Sequence, residues 1–255
     1  NLVYTGGALD LITAGIADGG TMQYKLGDNG TWSSDIPTAT NAGEYTVYYK
    51  VLGDDSHSDL IDDEKQQLTV TIANADAQVT APTAKTGLSY NGEEQVLVDE
   101  GSALGATISY KLGDGDWTTN IPSATDAGEY TVAWKAGADD NYAVDETEKR
   151  LTITIARVAD SIDFSLDNVT VRCGDSVPEL TATSASGMAV TFTYSDNGND
   201  YYTKEQLADF AFIYGTTYYV KAAVADSSNY TGAEKVLTII PQHNITVSES
   251  DGLHT

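Results

Sequence analysis

One stretch of this chain is written twice. Tyr24-Lys25-Leu26-Gly27-Asp28 returns as Tyr110-Lys111-Leu112-Gly113-Asp114, and Ile36-Pro37 returns as Ile121-Pro122. Ala42-Gly43-Glu44-Tyr45-Thr46-Val47 returns as Ala127-Gly128-Glu129-Tyr130-Thr131-Val132. Leu68-Thr69-Val70-Thr71-Ile72-Ala73 returns as Leu151-Thr152-Ile153-Thr154-Ile155-Ala156, and the offsets run from 83 to 86 residues. That period is too long for a solenoid and suits a small independent module in a tandem row. A module of this size can bury one modest core without metals or disulfides.

Composition narrows the partners. The 255 residues carry 38 acidic and 13 basic side chains, a net charge of −25 spread over all copies. A field of that sign repels nucleic acid and anionic membranes. It does not predict disorder, because 41% of residues are hydrophobic and the apolar ones are periodic. No apolar run reaches the roughly 18 residues of a membrane span, so no membrane insertion is expected. Cys173 is the single cysteine, which excludes an intramolecular disulfide. It reads as an inert, strand-borne thiol, as free cysteines usually are. A chain of this kind without disulfides fits the cytoplasm or a bacterial surface protein.

Strand signals dominate. Glu44–Val51 and Glu129–Lys135 are rich in β-branched and aromatic residues. Gln67–Ile72 and Arg150–Ile155 alternate apolar residues with Thr, giving one buried and one wet face. The same alternation makes Tyr49 and Trp134 core residues and turns Lys50, Lys135 and Lys221 outward. Outward lysines are poorly placed for a buried isopeptide bond. Asp28-Asn29-Gly30 and Asp114-Gly115-Asp116 are expected to make the positive-φ hairpin turns between strands.

A third, divergent copy follows. Gly215–Lys221 stands where Gly128–Lys135 stood, and Ala225-Asp226-Ser227-Ser228-Asn229-Tyr230 echoes Ala138-Asp139-Asp140-Asn141-Tyr142. Its novelty is Thr203–Phe210, where Thr203 and Gln206 form a capping-box pattern that predicts a short helical turn. The boundaries are therefore residues 1–73, 74–156 and 157–240, with 241–255 a tail or the start of a further module. The first copy begins at a position matching Gly87, so its counterpart of residues 74–86, first strand included, is not in this sequence. The links at Ala73–Asp76 and Ala156–Asp160 are short and lack Gly/Ser tracts, which predicts stiff coupling.

The run Asp126-Ala127-Gly128-Glu129-Tyr130-Thr131-Val132 resembles the D-x-G-x-Y-x-C segment of immunoglobulin folds, with Val47 and Val132 in the cysteine's place. The wider pattern of Gly/Asp hairpin, Trp, Ile-Pro, Ala-Gly-Glu-Tyr-Thr-Val and a Thr-rich last strand resembles tandem bacterial immunoglobulin-like repeats. Those occur in surface proteins of Gram-positive gut bacteria. The resemblance is close in the first two copies and weak in the third. It implies an extracellular, non-catalytic spacer or adhesion module within a larger multidomain chain, monomeric in itself.

The chemistry of sites is sparse. His57, His243 and His254 are scattered, and no Ser-His-Asp set, Cys-His set or phosphate loop is apparent, so no enzyme is predicted. Asp54, Asp55, Asp59, Asp62, Asp63 and Glu64 share one loop and read either as a solvated acidic segment or as a Ca²⁺ site. No other cofactor is implied. Trp32, Trp117, Tyr201 and Tyr202 are the aromatics placed to stack on a sugar ring, the alternative being half-buried packing over a turn. The alternative function is thus a carbohydrate-binding module, and the partner classes are a glycan or a host surface protein.

The sequence therefore predicts an all-β chain of three tandem immunoglobulin-like β-sandwich modules, the third with a short helical insertion. Small-angle scattering checks the tandem organisation. A radius of gyration clearly above the about 18 Å of a 255-residue globule is expected, and a value at that level contradicts it.

Overall fold

A computed structural model describes residues 1–61, 66–167, 169–207 and 211–243. The chain is all-β, and among the described residues the one helical element is a 3₁₀ turn at Glu205–Leu207. It divides into two compact units. The first comprises Asn1–Lys85, Val96–Ala124 and Tyr130–Ile153; the second comprises Thr86–Gln95, Thr125–Glu129 and the chain from Thr154 onward. This construction fits a β-sandwich. Among the described residues no helix is long and apolar enough to cross a membrane.

In the first unit, the first repeat forms a four-stranded sheet in the order Leu2–Val3, Gln67–Ala73, Gly43–Gly53, Gly20–Leu26. Leu2–Val3 runs parallel to its neighbour, with Leu2 opposite Ile72, and the other pairs are antiparallel. The alternation in the sequence sets which face is dry. Val47 and Ile72 are buried with Leu11, and Leu2, Tyr45 and Val70 pack against them. In the second repeat Ala106–Leu112 pairs antiparallel with Val132–Ala138, with Tyr110 opposite Trp134. Val132 is fully buried and Trp134 is only 6% exposed, as expected, while Tyr49 is half-buried.

Three buried tyrosines, Tyr24, Tyr110 and Tyr194, each span the interior to a backbone group. The Tyr24 hydroxyl accepts from Gly15 N at 2.6 Å, and that of Tyr110 accepts from Gly101 N at 3.1 Å. The Tyr194 hydroxyl instead donates to the Pro178 carbonyl at 3.2 Å. Each ring thus fills the core while its polar end is satisfied.

The hairpin turns differ from expectation in one respect. Positive φ falls on Gly27 (65°) and Gly113 (54°), not on Asn29, Gly30 or Gly115. The turns close by Gly30 N to Gly27 O at 3.2 Å and Gly115 N to Leu112 O at 3.0 Å. A side chain at Gly30 would strike the Leu26 carbonyl at 2.3 Å, so glycine there answers to space, not to φ.

The second unit holds a three-stranded antiparallel sheet, Thr191–Ser195, Tyr218–Val224, Ala233–Ile239. Its central strand alternates buried and half-buried residues along its whole length. Phe164, Phe212, Tyr218 and Val220 are at the heart of this core, with Phe212 edge-on to Tyr218 at 4.7 Å. The capping box forms as read: Thr203 N donates to Gln206 Oε1 at 2.8 Å and Gln206 N to Thr203 Oγ1 at 3.4 Å. Residues 208–210 of that segment, and Asn244–Val247, lie outside the described residues. Cys173 lies exposed in a turn and not in a strand.

Asp160 is a buried carboxylate with no counterpart in the sequence reading. It accepts from Ser161 N at 2.8 Å, from Ser186 N at 3.1 Å and from the Ser186 hydroxyl. Burial alone would raise its pKa, but the Ser186 hydroxyl and the amides of Ser186, Ser161 and Ala185 outweigh it and hold it below the ordinary value. A depressed folded-state pKa gives stability that is present above the unfolded value of about 3.9 and lost as pH falls through the folded one. Asp160→Asn is therefore expected to be less stable than the parent at neutral pH, with the gap closing below about pH 4 in acid-unfolding curves. A gap independent of pH would contradict this account of the carboxylate.

Candidate functional site

Two sets of side chains stand out by residue type, four aromatics and the carboxylates of one acidic loop. Trp32 lies half-buried, with Lys25 Nζ 5.0 Å and Lys50 Nζ 4.4 Å from its ring. Trp117 repeats this with Lys111 at 5.1 Å and Lys135 at 4.8 Å. Both rings immediately precede a residue that bridges back to the interior tyrosine, Ser33 to Tyr24 and Thr118 to Tyr110. In the second unit Tyr202 bridges to Tyr194 in the same way, so Tyr201 stands where the tryptophans do, and Lys221 Nζ lies 4.6 Å from its ring. An ammonium within about 6 Å of a ring is attracted by its quadrupole. A sugar stacking on the same ring face would have to displace that cation. Trp32, Trp117 and Tyr201 each lie by a lysine, and Tyr202 lines a cleft.

That cleft is in the second unit, a cavity of about 80 Å³ between Val177, Tyr194, Tyr202, Leu207, Phe212 and Tyr218. Burial and the Glu179 charge push the Tyr194 hydroxyl up to about 12, so it stays a neutral donor to Pro178. Among the described lining residues Asp196 is the only carboxylate. Among the described residues this recess is apolar and gathers no convergent set of polar groups.

In the acidic loop, Asp54 Oδ1 accepts from Ser56 N at 2.8 Å and contacts His57 Nδ1 at 2.7 Å. The His57 contact is the chief cause that lowers the Asp54 pKa. Asp59 Oδ1 accepts from Gly53 N at 2.8 Å, and Asp55 is exposed. Asp54 and Asp59 thus cap their own loop. Asp62, Asp63 and Glu64 lie outside the described residues. Among the described residues no group of three or more His, Cys, Asp or Glu is gathered to hold a metal ion.

The arrangement that recurs most faithfully lies elsewhere, where one repeat meets the next. Within the first unit, Ala75–Asp76 pairs in parallel with Tyr142–Ala143. Ala75 N donates to Asn141 O at 3.1 Å and Ala77 N to Ala143 O at 2.9 Å. Within the second unit, Val158–Ala159 pairs in parallel with Tyr230–Thr231, Val158 N donating to Asn229 O at 3.1 Å and Asp160 N to Thr231 O at 2.8 Å. The residue that starts each link reaches the same turn. Asn74 Nδ2 donates to the carbonyls of Asp140 and Tyr142 at 3.0 and 2.9 Å, and Arg157 bonds Asp226 at 3.1 Å and the Ser227 carbonyl at 3.4 Å.

The turn in its turn reaches the corner of the preceding repeat. Asn141 Oδ1 accepts from Ala42 N at 2.7 Å, and Asn229 Oδ1 accepts from Ala127 N at 2.7 Å. The neighbouring rings meet edge to face, Tyr4 with Tyr142 at 5.3 Å and Tyr90 with Tyr230 at 5.4 Å. Tyr142 lies against Gly105, where φ is 79° and a Cβ would be 2.3 Å from the ring. Only glycine lets that ring lie down. The sequence offered a signal for these contacts in the echo of Asn141-Tyr142 by Asn229-Tyr230, but it does not mark them as contacts between repeats. No family model matches this chain, and no curated protein does.

Proposed function

We propose that this chain is a non-catalytic spacer: three immunoglobulin-like modules, residues 1–73, 74–156 and 157–240, set in a row in a bacterial surface protein. The observation that carries the reading is that neither link has slack. Ala75–Asp76 and Val158–Ala159 are themselves strands of the repeat that follows, bonded on the way in. A link in that state transmits orientation and force, whereas a flexible one would only tether. The net charge of −25 adds repulsion between neighbours within a screening length of about 8–10 Å. The resemblance to bacterial immunoglobulin-like repeats supports the surface location, and the partner such a spacer displays is a glycan-directed or protein-directed domain elsewhere in its chain.

Trypsin tests the absence of slack, because Arg157 stands in the second link. The native chain should resist cleavage after Arg157 under conditions that cut the urea-unfolded chain there. Ready cleavage of the native chain at Arg157 would overturn the reading.

A further inference from the structure

Two separate requirements meet in the Asn-Tyr turn, that it fold and that it dock, and the first repeat tells them apart. There the equivalent turn carries Ser56-His57. Its backbone is nonetheless the same: Asp54 N donates to Gly19 O at 3.1 Å, as Asp139 N donates to Gly105 O at 3.1 Å. His57 N donates to Asp54 O at 3.1 Å, as Tyr142 N donates to Asp139 O at 2.9 Å. The His57 ring covers Gly19 as the Tyr142 ring covers Gly105. The turn therefore folds without asparagine or tyrosine, and in the later repeats these residues serve the contact with the corner in front.

The two corners present different chemistry to that asparagine. At the first, Asn141 Nδ2 lies 3.5 Å from Asn41 Oδ1, a long contact; Ala42 N holds the Asn141 oxygen, while the Asn41 carboxamide can turn over to donate or accept. At the second, Asn229 Nδ2 donates to Asp126 Oδ1 at 3.0 Å. A carboxylate only accepts, so the amide of Asn229 is fixed: nitrogen to Asp126, oxygen to Ala127 N.

We infer that Asn141 and Asn229 are the residues with which each repeat recognises the corner of the one before it, and that the second corner, through Asp126, accepts a carboxamide and rejects a carboxylate. The first corner accepts either. Discrimination of this kind comes from the repulsive partner as much as from the attractive one. The inference rests on the spacer reading, since it names what fixes the joints.

Distances between paired spin labels test it on the full chain in a Cys173→Ser background. Ser34→Cys with Thr119→Cys spans the first joint, and Glu93→Cys with Val236→Cys the second, all at exposed positions. Asn141→Asp should keep the single narrow distance of the parent, because the new carboxylate still accepts from Ala42 N and the Asn41 amide can donate to it. Asn229→Asp should lose the narrow distance at the second joint, with two carboxylates facing each other. Adding Asp126→Asn should restore it, which also shows that the chain folds. A narrow distance in Asn229→Asp, or a broad one that Asp126→Asn does not restore, would overturn the recognition rule and leave the spacer reading standing. A broad distribution at both joints of the parent would overturn the spacer reading itself.

Discussion

A backbone amide at the corner of a sheet has no ladder partner and must find an acceptor. In this chain Ala42 and Ala127 find theirs in the side chain of an asparagine 99 and 102 residues further on. Much else at the joints depends on that bond being made. It brings the turn against the corner, sets Tyr142 on Tyr4 and Tyr230 on Tyr90, and leaves the linking residues between them to pair as short parallel strands. Each contact alone is modest, about 0.5–1.5 kcal/mol net for a hydrogen bond and a similar amount for an edge-to-face pair. Their value lies in acting together on a link with few residues to order.

The outer face of the sheet follows a different logic. With 13 basic residues against 38 acidic, a cation is scarce here, yet Lys50, Lys135 and Lys221 each lie over an aromatic ring. Their stems cover apolar surface while the ammonium groups face the rings. Trp32, Trp117 and Tyr201 thereby help to close the sheet's outer face. Nearby carboxylates are drawn into the same economy, Glu148 lying 3.7 Å from Lys111 and Glu234 lying 3.5 Å from Lys221.

How much of this was legible in the sequence depended on the range of the interaction. Period-two alternation marked Val132 and Trp134 as interior and the lysines as outward, because that alternation is a property of neighbouring residues. The capping box of Thr203 and Gln206 was legible for the same reason. Tyr201 as the counterpart of the tryptophans was not, since the residue type changes and only the bridge from Tyr202 to Tyr194 reveals the match. The positive φ was assigned to the tips of the hairpins but falls on Gly27 and Gly113, earlier in each turn. Asn141 and Asn229 are repeated for contact, and a partner about a hundred residues away leaves no mark on local patterning. Asp160 was illegible because three of its donors are backbone amides, which the sequence cannot show.

The amides of Ala42 and Ala127 report on the central claim directly, since each is held by a single side chain of the following repeat. Hydrogen exchange resolved to those two residues should find both protected to a level near that of the adjoining strands, with Asn141→Ala releasing Ala42 alone and Asn229→Ala releasing Ala127 alone. Exchange of either amide in the parent chain at the rate of an open loop would show that the joint is not closed in solution, and would contradict the account.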